Sequence, residues 1–444
     1  MRIAIIGAGI SGLTAAWHLS EHHEIALFEA GSYLGGHTNT VDVECDGRTL
    51  AIDTGFIVYN DRTYPNFIRL LDQLQVDTQP TNMSFSVRCD RTGLEYSGNS
   101  LNGLFAQRRN LLRPRFYRLL RDFMRFNRRS LELLASDDES LTVGEYLARG
   151  RYSREFVEQY FLPMGSAIWS CPRTTFEQFP MRFIVAFYQN HGLLGVTNRP
   201  QWRVIRGGSR TYVEAMSRRF AASVQLNSPV AMVTRDKDFC ELRLISGVVE
   251  RFDHIVFACH ADQALRTLGE DATPVERELL SAFPYERNMA VLHTDATVLP
   301  HSRRAWAAWN YHLPTSNPHK ATVTYNMNIL QGLTASKTFC VTLNSEDATG
   351  IDPRQVIRRI EYHHPIYDTR RLSMQRRHSE VINRHRTSFC GAYWGNGFHE
   401  DGVVSALAVC RALVDESWKV VSTKVGSDTG DTNRSNTAFA TECS

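Results

Sequence analysis

Three glycines and one acid near the start of the chain carry the clearest chemical signal. Gly7, Gly9 and Gly12 stand in the order Gly-x-Gly-x-x-Gly within Gly7-Ala8-Gly9-Ile10-Ser11-Gly12. At that spacing the first glycine allows a tight turn. The second lets backbone approach a diphosphate with no Cβ in the way, and the third lets a helix pack closely on a strand. Unpaired N–H groups at the positive helix end then face the anion. Glu29 follows where an acid accepts hydrogen bonds from an adenosine ribose, and its charge would repel the 2′-phosphate of NADP. The chemistry is dinucleotide binding, with FAD or NAD as the ligand.

A strand, a helix and a second strand must hold these residues. Ile3, Ile5 and Ile6 supply a short apolar strand running into the glycines. Leu13, Ala16, Trp17 and Leu19 have the spacing of a helix's inner face, and Ile25 to Phe28 read as the next strand. Two more glycine segments follow: Gly35-Gly36-His37-Thr38, then Ile52-Asp53-Thr54-Gly55-Phe56. Val204-Ile205-Arg206-Gly207-Gly208-Ser209 looks like a strand turning into a helix. The chain closes on Phe389 to Gly402 (FCGAYWGNGFHEDG) and a helical Val403 to Leu413.

This set of segments resembles the flavin amine oxidase and carotenoid desaturase superfamily. The resemblance spans about residues 1–415 and implies FAD rather than NAD. It implies an α/β fold, a Rossmann-like FAD-binding domain of the GR2 type interleaved with an α+β substrate domain. The FAD domain is expected at 1–60, 203–282 and 385–420, the substrate domain at 61–202 and 283–384. The cofactor contacts it implies are Gly7, Gly9, Ser11, Gly12 and Glu29, then Gly35, Gly36, His37, Thr38, Thr54, Gly55 and Phe56. Further along they are Arg206, Gly207, Gly208, Val230, Gly391, Gly397, Gly402 and Val403. The last helix would aim its positive end at the flavin pyrimidine ring and stabilise negative charge on the reduced flavin.

Composition sets the outer limits. The 444 residues exceed one ordinary core, and 43% hydrophobic with 22% charged content describes a globular chain. A net charge of +3 gives no reason to expect nucleic acid as a partner. Nine cysteines show no C-x-x-C pair, which reads as reduced thiols, and no metal site is expected, since Cys259-His260 lacks a second ligand pair. The fingerprint begins at residue 2 and no run of 18 apolar residues exists, so the expectation is a cytoplasmic protein, either free or peripheral to the inner membrane face. Residues 421–444 have the composition of a disordered tail.

The middle of the chain offers the substrate. Residues 163–202 are rich in aromatic and apolar side chains, where the superfamily builds its tunnel; Trp169, Phe183, Phe187, His191 and Trp202 are wall or core. Trp306, Trp309, Tyr311 and Tyr325, in a β-rich stretch, are further wall candidates. Ser153 to Leu162 reads as a helix ended by Pro163. Beyond Pro114, Phe116, Leu119, Leu120, Phe123 and Phe126 form one stripe, while Arg118, Arg121, Arg125, Arg128 and Arg129 form another. Such a helix is either a membrane or partner element, with residues 108–129 meeting anionic lipid, or a solvated face over a core-packed stripe.

A closer likeness, in GAGISGL, YLGGHT, DTGF-VYN and GAYWGNGFHEDG, is to the flavoprotein group that accompanies cyclopropane-fatty-acid synthases and is fused to the plant ones. It implies an acyl-lipid substrate and a lipid methyltransferase partner. Desaturation would pass a hydride to flavin N5 and a proton to a base, with oxygen as the final oxidant. His399, Glu400 and His191 are the candidate bases. Flavin amine oxidation and a non-catalytic FAD-bound scaffold are the other readings; scarce lysine counts against the first.

Overall fold

The computed structural model describes residues 1–414, apart from 99, 137, 139, 170, 196–198, 316–321 and 344–349. The expected tail at 421–444 lies outside the described residues.

The fingerprint folds as its pattern dictates. β1 (Arg2–Ile6) runs into α1 (Ile10–Leu19) and returns as β2 (Glu24–Phe28). With β3 (Val224–Gln225), β4 (His254–Phe257) and β5 (Thr387–Phe389), these form a parallel sheet in the order β3-β2-β1-β4-β5. β1 is apolar from Ile3 to Ile6 because both of its faces are covered there. Ile3 and Ile5 point to the side of α1, while Ala4 and Ile6 point to a three-stranded sheet that includes Leu242 and Phe252. Trp17 is the exception to the expected inner face of α1: it is half-buried under Arg219, whose guanidinium lies 4.0 Å from its ring centre.

A seven-stranded sheet makes the second layer. Its order is Val356–Pro365, Tyr285–His293, Cys340–Leu343, Thr322–Asn326, Trp309–Leu313, Phe85–Cys89 and Leu94–Ser97. Helices α2 (Pro65–Gln73), α3 (Pro114–Arg129), α4 (Leu162–Trp169) and α5 (Met181–Asn190) come from the stretch between the two halves of the nucleotide sheet. One aromatic cluster joins α3, α4 and α5 through Phe126, Phe161, Trp169, Phe187 and Tyr188.

Pro163 does not end its helix. A π-helical turn, Val157–Phe161, precedes it, and α4 continues to Trp169. Proline lacks the N–H that would reach the Gln159 carbonyl. The Tyr96 hydroxyl donates to that carbonyl instead, at 2.7 Å. A distant strand therefore satisfies the acceptor that the proline leaves open.

Helix α6 (His399–Leu413) packs along α1, joining the two ends of the described chain. A Cβ on Gly402 would lie 2.7 Å from Ile10 and 2.9 Å from Ser11, so glycine is what lets the two helix starts touch.

The apolar stripe of the basic helix packs into the core. Phe116, Leu119 and Phe126 are buried against the neighbouring strands and helices, so that stripe cannot face lipid. Arg118 pairs with Glu155 at 3.0 Å, and Arg125 lies against Asp122 and the Tyr152 ring.

Candidate functional site

One cavity of about 1020 Å³ runs from the glycine fingerprint to the aromatic helices. That lies at the upper end of ordinary ligand pockets, roughly 300–1,000 Å³, and leaves room for a cofactor with a substrate beside it. Its nucleotide end is lined by Gly7, Gly9, Ser11, Glu29, Gly35, Gly36, His37, Thr54, Gly55 and Phe56. Val230 lines the far side of this end.

The shape fits a dinucleotide at each point the motif requires. No side chain caps α1, so its first N–H groups stay open toward the cavity. A Cβ on Gly9 would meet no atom within 4 Å, whereas one on Gly12 would fall 1.8 Å from the Gly7 carbonyl oxygen. Gly9 therefore leaves space for a ligand, and Gly12 serves the helix–strand contact. Gly35 pairs with Gly9 in a parallel bridge, which carries the second glycine pair alongside the first. The Glu29 carboxylate accepts from the Ala8 N–H at 2.8 Å and the Gly31 N–H at 2.7 Å. Those bonds hold it at the cavity edge, and each oxygen retains a lone pair for a ribose hydroxyl.

Four imidazoles form a wall of which the sequence reading expected only His37. His37, His260, His363 and His364 all line the cavity. His37 stacks on Tyr362 with ring centres 4.8 Å apart, and His260 on Tyr285 at 4.1 Å. Burial lowers His37 to about 4, and His260 and His364 to about 3, so they are neutral near pH 7. His37 Nε2 is buried with no hydrogen-bond partner, which suits a polar group of the bound cofactor. Among the described residues no three His, Cys, Asp or Glu side chains converge to hold a metal ion.

The closing loop is held from behind. Arg371, fully buried, donates to the carbonyls of Tyr393 at 3.0 Å and Gly395 at 3.2 Å. Gln375 donates to the Tyr393 carbonyl at 2.8 Å and to that of Gly395. Gly391, Asn396 and Gly397 consequently present their backbone to the cavity.

Other expected contacts sit elsewhere. Arg206 and Gly207 are exposed and outside the cavity wall, so the expected flavin contact of Arg206 is corrected. The turn at Gly207 and Gly208 instead brings Ser209 onto buried Asp53, whose carboxylate accepts from the Ser209 N–H and hydroxyl at 2.8 and 2.7 Å. Thr40 donates to the same carboxylate at 2.6 Å, so Asp53 ties three segments together. Gly12, Thr38, Gly402 and Val403 lie one layer behind the wall. Of the aromatic candidates, Trp169, Phe187, Trp202, Trp309 and Tyr325 line the cavity, while Phe183, Trp306 and Tyr311 do not. Phe183 stacks on Tyr367, and the Trp306 indole donates to the Pro300 carbonyl at 2.8 Å.

The three candidate bases separate clearly. Glu400 is a helix anchor: it accepts from the Asn66 N–H and side-chain amide at 3.0 and 2.6 Å, and from the Phe67 N–H at 2.9 Å. Its carboxylate serves the start of α2 and is absent from the cavity wall. His399 stacks on Phe56 at 3.5 Å, but its Nε2 is held by Thr38 and Tyr212 at 3.0 and 3.1 Å. Neither hydroxyl belongs to the cavity wall. His191 is different. Its Nδ1 must donate to the Phe187 carbonyl at 2.9 Å, because a carbonyl only accepts, so Nε2 carries the lone pair. Thr63 Oγ1 is 3.4 Å from that atom, and burial lowers the imidazole to about 4.

Two outcomes follow from these placements. Glu400→Ala should destabilise the fold by about 3 kcal/mol in denaturant titration, since buried donors lose a charged acceptor. Glu400→Gln should retain most of the stability and the turnover; lost turnover at full stability would restore Glu400 as a base. The second concerns pH. His37, His191, His260 and His364 have folded values below the ordinary 6.5, so their stability contribution is full above 6.5 and is lost as pH falls toward about 4 for the first two and about 3 for the others. Asp53 and Asp401, raised to about 6 by burial, act in the opposite sense between the ordinary carboxylate range and 6. The imidazoles outnumber them. Thermal stability should therefore fall below pH 6.5, by about 1.4 kcal/mol per pH unit for each uncompensated imidazole. A melting temperature that is flat from pH 7 to 5 would contradict this.

Comparison with known proteins agrees with the geometry. The family model for flavin containing amine oxidoreductases matches residues 10–293. Two Arabidopsis thaliana sequences described as flavin-containing monooxygenases are 33% identical over 92 residues and 35% over 85. These matches cover 18% and 17% of this chain, and 19% and 15% of the relatives, so the chain spans under a fifth of their length. Among solved structures, cyclohexylamine oxidase from Brevibacterium oxydans has a TM-score of 0.67 at 16% identity, covering 93% of this chain and 99% of that one. A CLA-producing fatty acid isomerase from P. acnes scores 0.66 at 16%, with the same coverage. Putrescine oxidase bound to putrescine scores 0.65 at 13%, covering 94% and 100%. At these identities the structures share the fold alone. With an open α1 terminus, open space at Gly9 and a family match across residues 10–293, the chain belongs to the flavin containing amine oxidoreductases and is an FAD-dependent oxidoreductase.

Proposed function

We propose that this enzyme desaturates an apolar acyl chain. The observation that carries the reading is the substrate end of the cavity, where Met83, Met164, Ile168, Trp169, Leu193 and Leu343 form a wall without charge. The acids on the whole cavity wall are Glu29 and Glu361, and neither belongs to that end. An amine substrate enters as a cation and is favoured by a counter-charge, which this end lacks, whereas an acyl chain needs only apolar surface. Likeness to the flavoproteins that accompany cyclopropane-fatty-acid synthases points to the same class. The fatty acid isomerase among the structural neighbours shows that this fold can serve such a substrate.

The chain's own residues then take these roles. Apolar walls from α4 and α5 hold the acyl chain and exclude water. FAD held at the nucleotide end would supply the two-electron oxidant, with oxygen as the final acceptor and hydrogen peroxide as its product. One allylic carbon loses a hydride, its neighbour loses a proton, and a new carbon–carbon double bond forms between them. His191 Nε2, the uncharged lone pair in the apolar chamber, receives the proton.

Lipids from cells with and without the gene test the reading by mass spectrometry. Acyl species poorer by two hydrogens should appear only when the gene is present. A change in the amount of methylated lipid with no change in unsaturation would favour a scaffold for a lipid methyltransferase. Identical acyl profiles, with amine turnover by the purified enzyme, would replace the acyl reading with amine oxidation.

A further inference from the structure

The outer side of the helical layer carries a surface that the cavity does not use. Leu112, in the turn before α3, is 88% exposed, and Leu101 is 78% exposed. Leu111, Tyr117 and Met124 are exposed beside them. Large exposed apolar side chains are common singly, but a run within one short segment is not a solvated face.

Charge is concentrated on the same segment. Residues 101–129 contain nine arginines and one acid, while the whole chain has a net charge of +3. The single acid, Asp122, is 1% exposed and faces inward, where it accepts from the Ser153 N–H at 2.7 Å. Arg118 pairs with Glu155 at 3.0 Å, and Arg115 and Arg121 approach Glu155 and Asp122 only at 3.9 and 3.8 Å; their side chains are 80% and 73% exposed, and Arg128 and Arg129 are exposed too. A groove of about 600 Å³ opens between the turn and the helix, lined by Leu111, Leu112, Pro114, Tyr117, Arg118 and Arg121. Apolar walls edged by guanidinium groups match the two chemistries of one phospholipid, acyl chain and phosphate.

We propose that this turn and the exposed face of α3 dock the enzyme on an anionic phospholipid bilayer, with Leu111 and Leu112 entering the acyl layer. The arginines stand at headgroup depth and bind lipid phosphate. Charge selects the occupant: a neutral apolar partner would leave the arginines facing nothing, whereas an anionic membrane meets both features over the whole segment. Docking this way requires no spanning helix, and none of the described helices is long and apolar enough to be one. The inner side of α3 packs through Phe126 on the cluster that includes Trp169 and Phe187, two residues of the cavity wall. The docking surface and the acyl chamber are thus opposite sides of one layer. The purpose of docking, delivery of a lipid acyl chain, rests on the acyl reading; the binding itself does not.

Flotation of the FAD-loaded full chain with vesicles tests this. Wild type should float with phosphatidylglycerol vesicles at low salt, and not with pure phosphatidylcholine. Arg115→Gln with Arg121→Gln should weaken binding about fivefold per arginine and flatten its salt dependence. Leu111→Ser with Leu112→Ser should weaken it by about tenfold or more, through lost apolar burial. Flavin content and circular dichroism should be unchanged, because these side chains are exposed. No flotation of wild type at low salt would overturn docking, and so would flotation indifferent to the leucine pair. Flavin reduction by detergent-dispersed acyl lipid, measured alongside, keeps the two readings apart: it survives failed docking and fails only with the acyl reading.

Discussion

A Gly9→Ala enzyme is expected to fold normally and to purify with much less bound flavin than wild type. Gly9 has φ −70° and ψ −178°, extended backbone that alanine adopts without strain. Its added methyl would meet no protein atom within 4 Å, because it projects into the groove at the start of α1. Only a bound diphosphate would feel it. Forcing one methyl into such a contact costs about 1–3 kcal/mol, which weakens FAD binding roughly tenfold to a hundredfold. Gly12→Ala is the contrasting case: its Cβ would lie 1.8 Å from the Gly7 carbonyl oxygen, so the fold itself should suffer. Flavin content and the melting temperature of the cofactor-free proteins separate the two. Wild-type FAD affinity in Gly9→Ala would mean that the diphosphate does not lie at this helix end.

The second large effect is expected at the other end of the cavity. Ile168 is on α4, only partly buried, and faces the uncharged chamber. Replacing it with tryptophan fills space that an acyl chain needs while leaving the nucleotide groove untouched. Ile168→Trp should retain full FAD and lose about a hundredfold or more in kcat/KM for an acyl substrate, equivalent to ~2.7 kcal/mol of transition-state binding. Turnover of a long acyl chain at the wild-type rate would place the substrate elsewhere.

The cofactor end was legible because its chemistry forces particular residues at particular spacings. Gly7, Gly9, Gly12 and Glu29 have few substitutes, and all of them act within one strand–helix–strand unit. The fate of Glu400 was not legible. It sits one residue from His399 in a loop that resembles a flavin-binding ending, yet its carboxylate bonds backbone N–H groups at residues 66 and 67. No local pattern reports a contact across that much chain. Pro163 misled for the same reason, since the Tyr96 hydroxyl that rescues the Gln159 carbonyl comes from another sheet. The stripe on α3 read correctly as apolar, but periodicity cannot say whether such a stripe meets core or lipid. The histidine wall had a faint signal in the adjacent His363 and His364, while His37 and His260 join them only through the fold.

Anaerobic mixing of the FAD-loaded enzyme with candidate substrates tests the central claim most directly. The visible absorbance of the flavin should bleach with an unsaturated acyl lipid, recover when oxygen is admitted, and stay unchanged with putrescine or cyclohexylamine. Bleaching by the amines with none by the acyl lipid would contradict the account.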